Sequence, residues 1–240
     1  MEHALYRNVE ILNRDLHANL RLKPATDMRY AAELRDCPIV VDEFNEIAKS
    51  YPIVFSHDRE GHAMALVVMG FPGGGNIWLD EAGHWMPVNY VPAYVRRYPF
   101  AAIERDGEFL LGLDMAFAGV GAEDGEPLFD AEGQPGPLLG QASTFVDEFV
   151  QGYARTQAFL GELERLELLR PFNAEIWVDG QTAAALVDLR CIDPKRLDAL
   201  PACELIDFVR RGHYALAIAH LASLSNFRQI TARLASPASA

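Results

Sequence analysis

The chain has 240 residues, half of them hydrophobic and 23% charged, and this length is sufficient to bury a core without metals or disulfides. Its formal net charge of −13 makes polyphosphate and anionic lipid poor partners, so we expect no nucleic-acid partner. The three cysteines lie far apart without a CxxC pair, which argues against a disulfide framework and against a structural zinc site.

The sequence shows neither an apolar signal region nor a membrane-spanning run. Residues 1–14 carry charges throughout, and the longest apolar runs, such as residues 63–70, are far shorter than the roughly 20 residues that a span needs. We therefore expect a soluble, cytoplasmic protein with one domain over residues 1–235 and a flexible tail at 236–240. A subdomain boundary near residue 137 is the alternative.

The first half of the chain is predicted to form a mostly antiparallel sheet built from hairpins. Asp42 is expected to cap a helix over residues 43–50. Apolar runs at 52–55 and 63–69 then flank a tight turn. Acid-x-x-Gly or Asp-Gly between apolar runs is a hairpin signal, because glycine adopts positive φ without a steric cost. Such turns fall at residues 58–61, 80–83, 106–107 and 130–133.

Helices are predicted to dominate the second half, so the expected fold class is α+β. Residues 138–169 repeat apolar side chains every three or four positions, which predicts a long helix that Pro171 would end, with Gly152 and Gly161 as candidate break points. A hairpin is expected over residues 174–189, turning at 179–180. Asp193 and Pro194 suit a helix start. Further helices are expected at 205–211, 213–222 and 226–234, with Gly212 separating the first two.

Residues 85–100, WMPVNYVPAYVRRYPF, resemble the SapC family, and shorter pieces of resemblance lie in the same order along the chain. These pieces are PIVF at 52–55, EPLFD at 126–130 and AHLASL at 219–224. The resemblance implies association with a bacterial surface-layer locus. It also implies neighbours such as flavin-dependent tryptophan-halogenase-like proteins, cupin-like proteins and outer-membrane receptors. It supplies no catalytic residues that could be transferred to this chain.

The same segment contains the candidate binding residues. Tyrosine and tryptophan combine a large apolar area with a polar group, and arginine binds a carboxylate through two parallel hydrogen bonds. If the segment is helical, positions 90, 94 and 98 share one face. The predicted contact surface for a peptide, protein or sugar-related partner comprises Trp85, Tyr90, Tyr94, Arg96, Arg97 and Tyr98. The alternative is that the rings belong to the core and the arginines form internal ion pairs.

A second candidate site is rich in histidine. His57, Asp58 and His62, with His84 on the next hairpin, are residue types that bind zinc or iron. Adjacent strand residues point to opposite faces, so His57 and Asp58 could share an ion only within a turn. We expect a solvated turn without metal. No cofactor is expected either, because the glycine-rich residues 71–76 match neither a dinucleotide-binding nor a P-loop pattern.

The sequence therefore favours a non-enzymatic binding or accessory protein in a bacterial surface-layer or outer-membrane-associated system. The alternative is an enzyme, metal-dependent or not, that modifies peptides or proteins alongside halogenase-like or cupin-like partners. That alternative depends on the histidines at 57, 62 and 84 and on the glycine-rich loop.

Overall fold

The computed structural model describes residues 5–58, 60–178 and 181–235. The strands of this part of the chain are β1 Val9–Ile11, β2 Arg21–Leu22, β3 Asp36–Pro38, β4 Ile53–His57, β5 Ala63–Val68, β6 Phe100–Arg105, β7 Glu108–Asp114, β8 Glu126–Pro127, β9 Leu169–Val178 and β10 Gln181–Ile192. The α-helices are α1 Arg14–His17, α2 Phe44–Ile47, α3 Ala93–Arg96, α4 Pro137–Arg165, α5 Pro194–Asp198, α6 Ala202–Arg210, α7 His213–Ser223 and α8 Phe227–Ala235. The predicted turn at 179–180 and the predicted tail at 236–240 lie outside the described residues.

The described strands pair antiparallel throughout. They form a five-stranded sheet of order β3-β5-β4-β10-β9, a three-stranded sheet of order β1-β7-β6, and the short pair β2-β8. The predicted α+β class is confirmed, with sheets mainly in the first half and helices later. The longest described strands, β9 and β10, nevertheless come from the second half, where a hairpin was expected.

Two of the predicted first-half hairpins form as expected. β4 and β5 pair with Val54 opposite Leu66, and β6 and β7 pair with Ala101 opposite Gly112. Asp106 and Gly107 connect the second pair with φ of 54° and 81°. Two consecutive positive φ values are characteristic of the type I′ turn, whose twist matches that of the flanking strands.

The other two predicted hairpins are reduced to turns. The segments around residues 80–83 and 130–133 each form one isolated bridge, Leu79 with Trp85 and Phe129 with Pro135. Asp80 Oδ1 accepts the backbone N–H of His84 at 2.7 Å, as Asp130 Oδ1 accepts that of Gln134. Each turn is therefore closed by its own aspartate, and extended strand pairing is not required to hold it.

The helix predicted at residues 43–50 is present but shorter than expected, and Asp42 does not cap it. A 3₁₀ turn at Val41–Glu43 leads into α2, which ends at Ile47. Asp42 pairs with Arg155 Nη2 at 2.9 Å, whereas the neighbouring Glu43 accepts the Val40 N–H at 3.2 Å. The carboxylate one position later in the sequence therefore satisfies the backbone at this helix start.

Helix α4 runs unbroken for 29 residues and packs against β5 of the larger sheet and against β6 and β7 of the smaller one. Gly152 does not interrupt it, because the missing side chain serves close packing. A Cβ there would lie 2.8 Å from Asp42 Oδ2 and 3.0 Å from Val40 Cβ. The prediction that Pro171 ends the helix is wrong: α4 ends at Arg165, and Pro171 lies within β9.

The predicted C-terminal helices are present. Asp193 accepts the Lys195 N–H at 2.9 Å with Pro194 in the first turn, and Gly212, at φ 77°, separates α6 from α7. The largest buried cluster combines side chains from both halves of the chain, including Phe44, Phe159 and Phe208. His220 of α7 is fully buried, its ring stacks on that of Phe55, and its Nε2 accepts the Ile192 N–H.

Candidate binding site

The segment from Trp85 to Phe100 is mostly irregular, so the predicted helical alignment of its tyrosines is wrong. Only Ala93–Arg96 forms an α-helix within it, with Pro92 at the N-cap and Pro99 three residues beyond its end. Pro92 has no N–H to donate and fixes φ, so the preceding Tyr90 stays outside the helix. The geometry of the site therefore depends on tertiary contacts more than on helical spacing.

The six predicted binding residues divide into an interior pair and a group at cavity walls. Tyr94 is 5% exposed and packs edge-on against Tyr6, with ring centroids 5.6 Å apart. Trp85 is partly buried, and its Nε1 donates to the buried Tyr51 hydroxyl at 2.9 Å. Tyr90, Arg96, Arg97 and Tyr98 line cavities.

Arg96 is held by aromatic rings and neutral oxygens. Its guanidinium lies 5.2 Å from the Tyr90 ring centroid and 5.1 Å from that of Phe145. Its Nε donates to the Val91 carbonyl at 3.0 Å, and its Nη2 donates to the Tyr90 hydroxyl at 2.7 Å. The side chain is exposed, yet these contacts fix its orientation.

Arg97 is held in the same way. Its guanidinium lies 4.3 Å from the Phe149 ring centroid and 4.7 Å from that of Tyr94, and its Nε donates to the Tyr6 hydroxyl at 3.1 Å. Within the described part of the chain, no carboxylate lies within the 4.0 Å ion-pair distance of either arginine. The interpretation that both arginines form internal ion pairs is therefore wrong for the described residues.

Glu43 lies beneath this segment and was not among the predicted site residues. It is 5% exposed and accepts hydrogen bonds from the Ala93 N–H at 2.6 Å and from the Tyr90 hydroxyl at 3.1 Å. Burial raises the pKa of this carboxyl above its usual value. Burial, and then the Glu43 charge, raise the pKa of Tyr90 to about 12. A hydrogen-bonded chain thus runs from Glu43 through Tyr90 to Arg96.

Within the described part of the chain, three cavities that adjoin this segment are together referred to as the arginine site. The small cavity, of about 290 Å³, is lined by Glu43, Tyr90, Arg96 and Phe145, among others. The middle cavity, of about 420 Å³, shares Arg96 and Phe145 with it and adds Arg97. The outer cavity, of about 470 Å³, shares four residues with the middle one: Pro24, Ala25, Tyr30 and Tyr98. The three cavities therefore have common walls.

The histidine-rich candidate site does not assemble as proposed. Ligand atoms of Asp58, Glu60 and His62 lie within 4.8 Å of one another on an exposed turn. His57 instead pairs with Glu164 at 3.2 Å, and His84 pairs with Asp80 on a different turn at 3.4 Å. The structure thus brings Asp58 and His62 together without His57 or His84.

Hydrogen bonds within that turn give Asp58 a structural role that does not require a metal ion. Asp58 Oδ1 accepts the backbone N–H groups of Glu60 and His62, at 2.9 and 2.8 Å, while Oδ2 faces His62 Nδ1 at 3.1 Å. The glycine-rich loop at the other end of β5 has a packing role. A Cβ on Gly70, the residue just before this loop, would overlap the Gly75 carbonyl oxygen.

The fold and site define an antiparallel α+β protein with an arginine-lined set of cavities. The chain belongs to the SapC family: the family model SapC matches residues 12–230, a span that includes all six predicted binding residues. No curated protein and no solved structure matches the chain. Among the described helices, none combines the length and the apolar character that crossing a bilayer requires.

Proposed function

We propose that this SapC-family chain is a non-enzymatic binding or accessory protein that recognises a peptide, protein or sugar-related partner at the arginine site. It would work in the cytoplasm in support of a bacterial surface-layer or outer-membrane-associated system. The supporting observation is that Arg96 and Arg97 stand at cavity walls, held by rings rather than by carboxylates.

The absence of ion pairs at Arg96 and Arg97 among the described residues is notable because the protein as a whole is acidic. The chain carries 34 acidic against 21 basic residues, so acidic partners for a surface arginine are abundant. Other arginines of the chain, such as Arg155 and Arg165, do form ion pairs. An arginine kept apart from carboxylates keeps its charge uncompensated, and its remaining N–H groups can bind an anionic group of a ligand.

The same contacts prepare the site for binding. Stacking on Tyr90 and Phe145 holds Arg96 in place before any partner arrives. Less rotamer freedom is then lost on association, which favours affinity. The proposed contact surface is therefore Tyr90, Arg96, Arg97 and Tyr98, joined by Tyr30 and Gln141 of the middle cavity. Trp85 and Tyr94 support it from the interior.

The test uses a random peptide library and a glycan array, each screened against the purified protein. Selected ligands are expected to lose affinity about tenfold or more for Arg96→Ala, and further for Arg96→Ala combined with Arg97→Ala, because hydrogen bonds to a charged group are lost. Arg210→Ala is the matched control. Arg210 is exposed on α6, a helix joined to the far end of α4 through the Arg165–Glu204 pair.

Circular dichroism and thermal denaturation establish that each variant is folded. Because Arg96 is exposed, its single substitution keeps the test valid even if the double variant unfolds. Selected ligands that bind Arg96→Ala as tightly as the native chain would refute the proposal. Failure of both libraries to yield any ligand would also count against it.

A further inference from the structure

We infer, building on the proposed function, that the middle cavity takes an amphipathic anion: a carboxylate or phosphate group attached to an apolar body. Arg96 and Arg97 line this cavity together with apolar and aromatic side chains such as Leu22, Tyr98, Leu138 and Phe145. Its two charged residues are both arginines. Its wall therefore has a positive charge in a protein whose net charge is −13.

The flanking cavities differ in this respect. The small cavity includes Asp42, Glu43 and Glu148 beside its arginines, and the outer cavity includes Asp27 beside Arg7 and Lys23. Acidic side chains there compensate the basic ones in part. The middle cavity thus offers positive charge without a lining carboxylate, and this difference selects an anion over a cation or a neutral ligand.

Hydrogen-bonding capacity indicates how the anion would be held. Arg96 uses Nε and Nη2 on the Val91 carbonyl and the Tyr90 hydroxyl. Among the described residues, no acceptor faces its Nη1, so that nitrogen remains available to a ligand. Gln141 is exposed on α4 at the same cavity and adds a neutral donor.

The remaining wall suits an apolar body. Tyr98 donates its hydroxyl to Asp114 at 3.2 Å, so its ring rather than its polar group is available to the cavity. Leu138, Ala142 and Phe145 from α4 add apolar surface to the same cavity. A volume of about 420 Å³ suits a ligand the size of an aromatic acid or the terminal residue of a peptide.

The test compares three small molecules that share an aromatic body and differ in their polar group. N-acetylphenylalanine carries a carboxylate, N-acetylphenylalanine amide is neutral, and phenyl phosphate carries a phosphate. Calorimetric and NMR titrations are expected to show binding of at least one anion about tenfold or more tighter than the amide. The stronger of the two anions identifies a carboxylate or a phosphate as the natural group.

Substitutions in the chain test whether the preference for an anion arises at the middle cavity. Arg96→Gln is expected to weaken the preferred anion about tenfold without changing the affinity for the amide. Arg210→Gln is expected to change neither. Gln141→Trp should abolish binding of all three molecules, because an indole at this exposed position fills the cavity.

The outcomes separate this inference from the proposed function. Equal affinity for acid and amide, both lost in Gln141→Trp, would overturn the inference and leave the arginine site as a binding site. Failure of both anions to bind also overturns the inference. The proposed function is then judged by whether library-selected ligands depend on Arg96.

Discussion

The turns that carry histidines and the segment from Trp85 to Phe100 both contain many residue types that bind ligands. The two regions differ in how their charged side chains are paired within the protein. In the turns, His62 and His84 each pair with the aspartate four residues earlier, although His57 pairs with the distant Glu164. In the arginine site, Arg96 and Arg97 contact nearby rings and also rings from distant parts of the chain, such as Tyr6 and Phe145. A charged side chain that pairs with a neighbouring residue needs no ligand to account for its presence. A charged side chain without an ion-pair partner is a candidate for binding a ligand.

Three turns of the chain are closed by the same short-range hydrogen bond to an aspartate. Three segments, starting at Asp58, Asp80 and Asp130, share one geometry: the aspartate Oδ1 accepts the N–H four residues later, and a glycine one residue before that donor has positive φ. Their φ values are 89°, 84° and 75°. A histidine follows the glycine in the first two turns and Gln134 in the third. The histidines are therefore incidental to the turn, which forms without one.

The largest expected effect concerns the buried partner of the arginine site. Glu43→Ala removes the acceptor for the N–H groups of Val40 and Ala93 and for the Tyr90 hydroxyl. Buried donors without acceptors are costly, so we expect the free energy of unfolding to fall by about 3 kcal/mol. Urea denaturation measures it.

Asp130→Ala is the matched control, because it also removes a carboxylate that accepts two backbone N–H groups, at an exposed turn. Water replaces that carboxylate, so a much smaller loss is expected. Equal decreases in the free energy of unfolding for Glu43→Ala and Asp130→Ala would mean that the buried network and the exposed turn contribute equally to stability. The proposed difference between the two regions would then be wrong.

The next expected effect is a pH dependence. Burial raises the pKa of Glu43 in the folded state, so the folded chain binds this proton more tightly than the unfolded chain. The contribution to stability is present at low pH and is lost as pH rises from about 4.3 through the raised pKa, by at most about 1.4 kcal/mol per pH unit. Glu43→Gln does not titrate and should lack this decline.

Urea denaturation of both proteins across this pH range measures the stability of the native chain relative to Glu43→Gln, which should fall as pH rises and then stay constant. Tyr90 and Arg96 face Glu43 in both proteins and so cancel in the comparison. Glu148→Gln, an exposed carboxylate at the same cavity, serves as the control and should follow the native curve. Parallel curves for the native chain and Glu43→Gln would show that folding does not change the proton affinity of this carboxyl, and would contradict the prediction.

The smallest expected effect is that of metal. Asp58, Glu60 and His62 offer three ligand atoms from one exposed turn, and the Asp58 oxygens are already engaged by that turn. We expect far less than one zinc or iron ion per chain when protein purified without a histidine tag is subjected to elemental analysis. A stoichiometric ion that is lost in His62→Ala would instead support the metal-dependent enzyme.

Sequence patterns predicted the elements whose causes are local. The Asp106-Gly107 turn, the Asp193 cap and the long apolar repeat of α4 each depend on neighbouring residues, and each is present. The C-terminal end of α4 was misjudged because β9 pairs through Pro171, which is a tertiary preference. Proline in a strand is tolerated where its missing N–H is not needed by a neighbour.

The sequence predicted which segment carries the candidate site, but it did not predict how the side chains of that site are arranged. Tyrosine and arginine density identified the segment, and four of its six named residues line cavities. The role of Glu43 depends on Ala93, 50 positions away, and that of Arg97 on Tyr6, 91 positions away. No spacing rule relates residues so far apart, so burial and cavity walls required the three-dimensional structure.

The close approach at Gly152 has a consequence for the shape of the site. α4 meets the Val40–Asp42 segment there with room for only a hydrogen atom, and residues of the same two segments line the small cavity. The width of that cavity is therefore set by a residue that does not line it. A methyl group at position 152 would act as a wedge, changing which molecules fit without altering any atom that touches them.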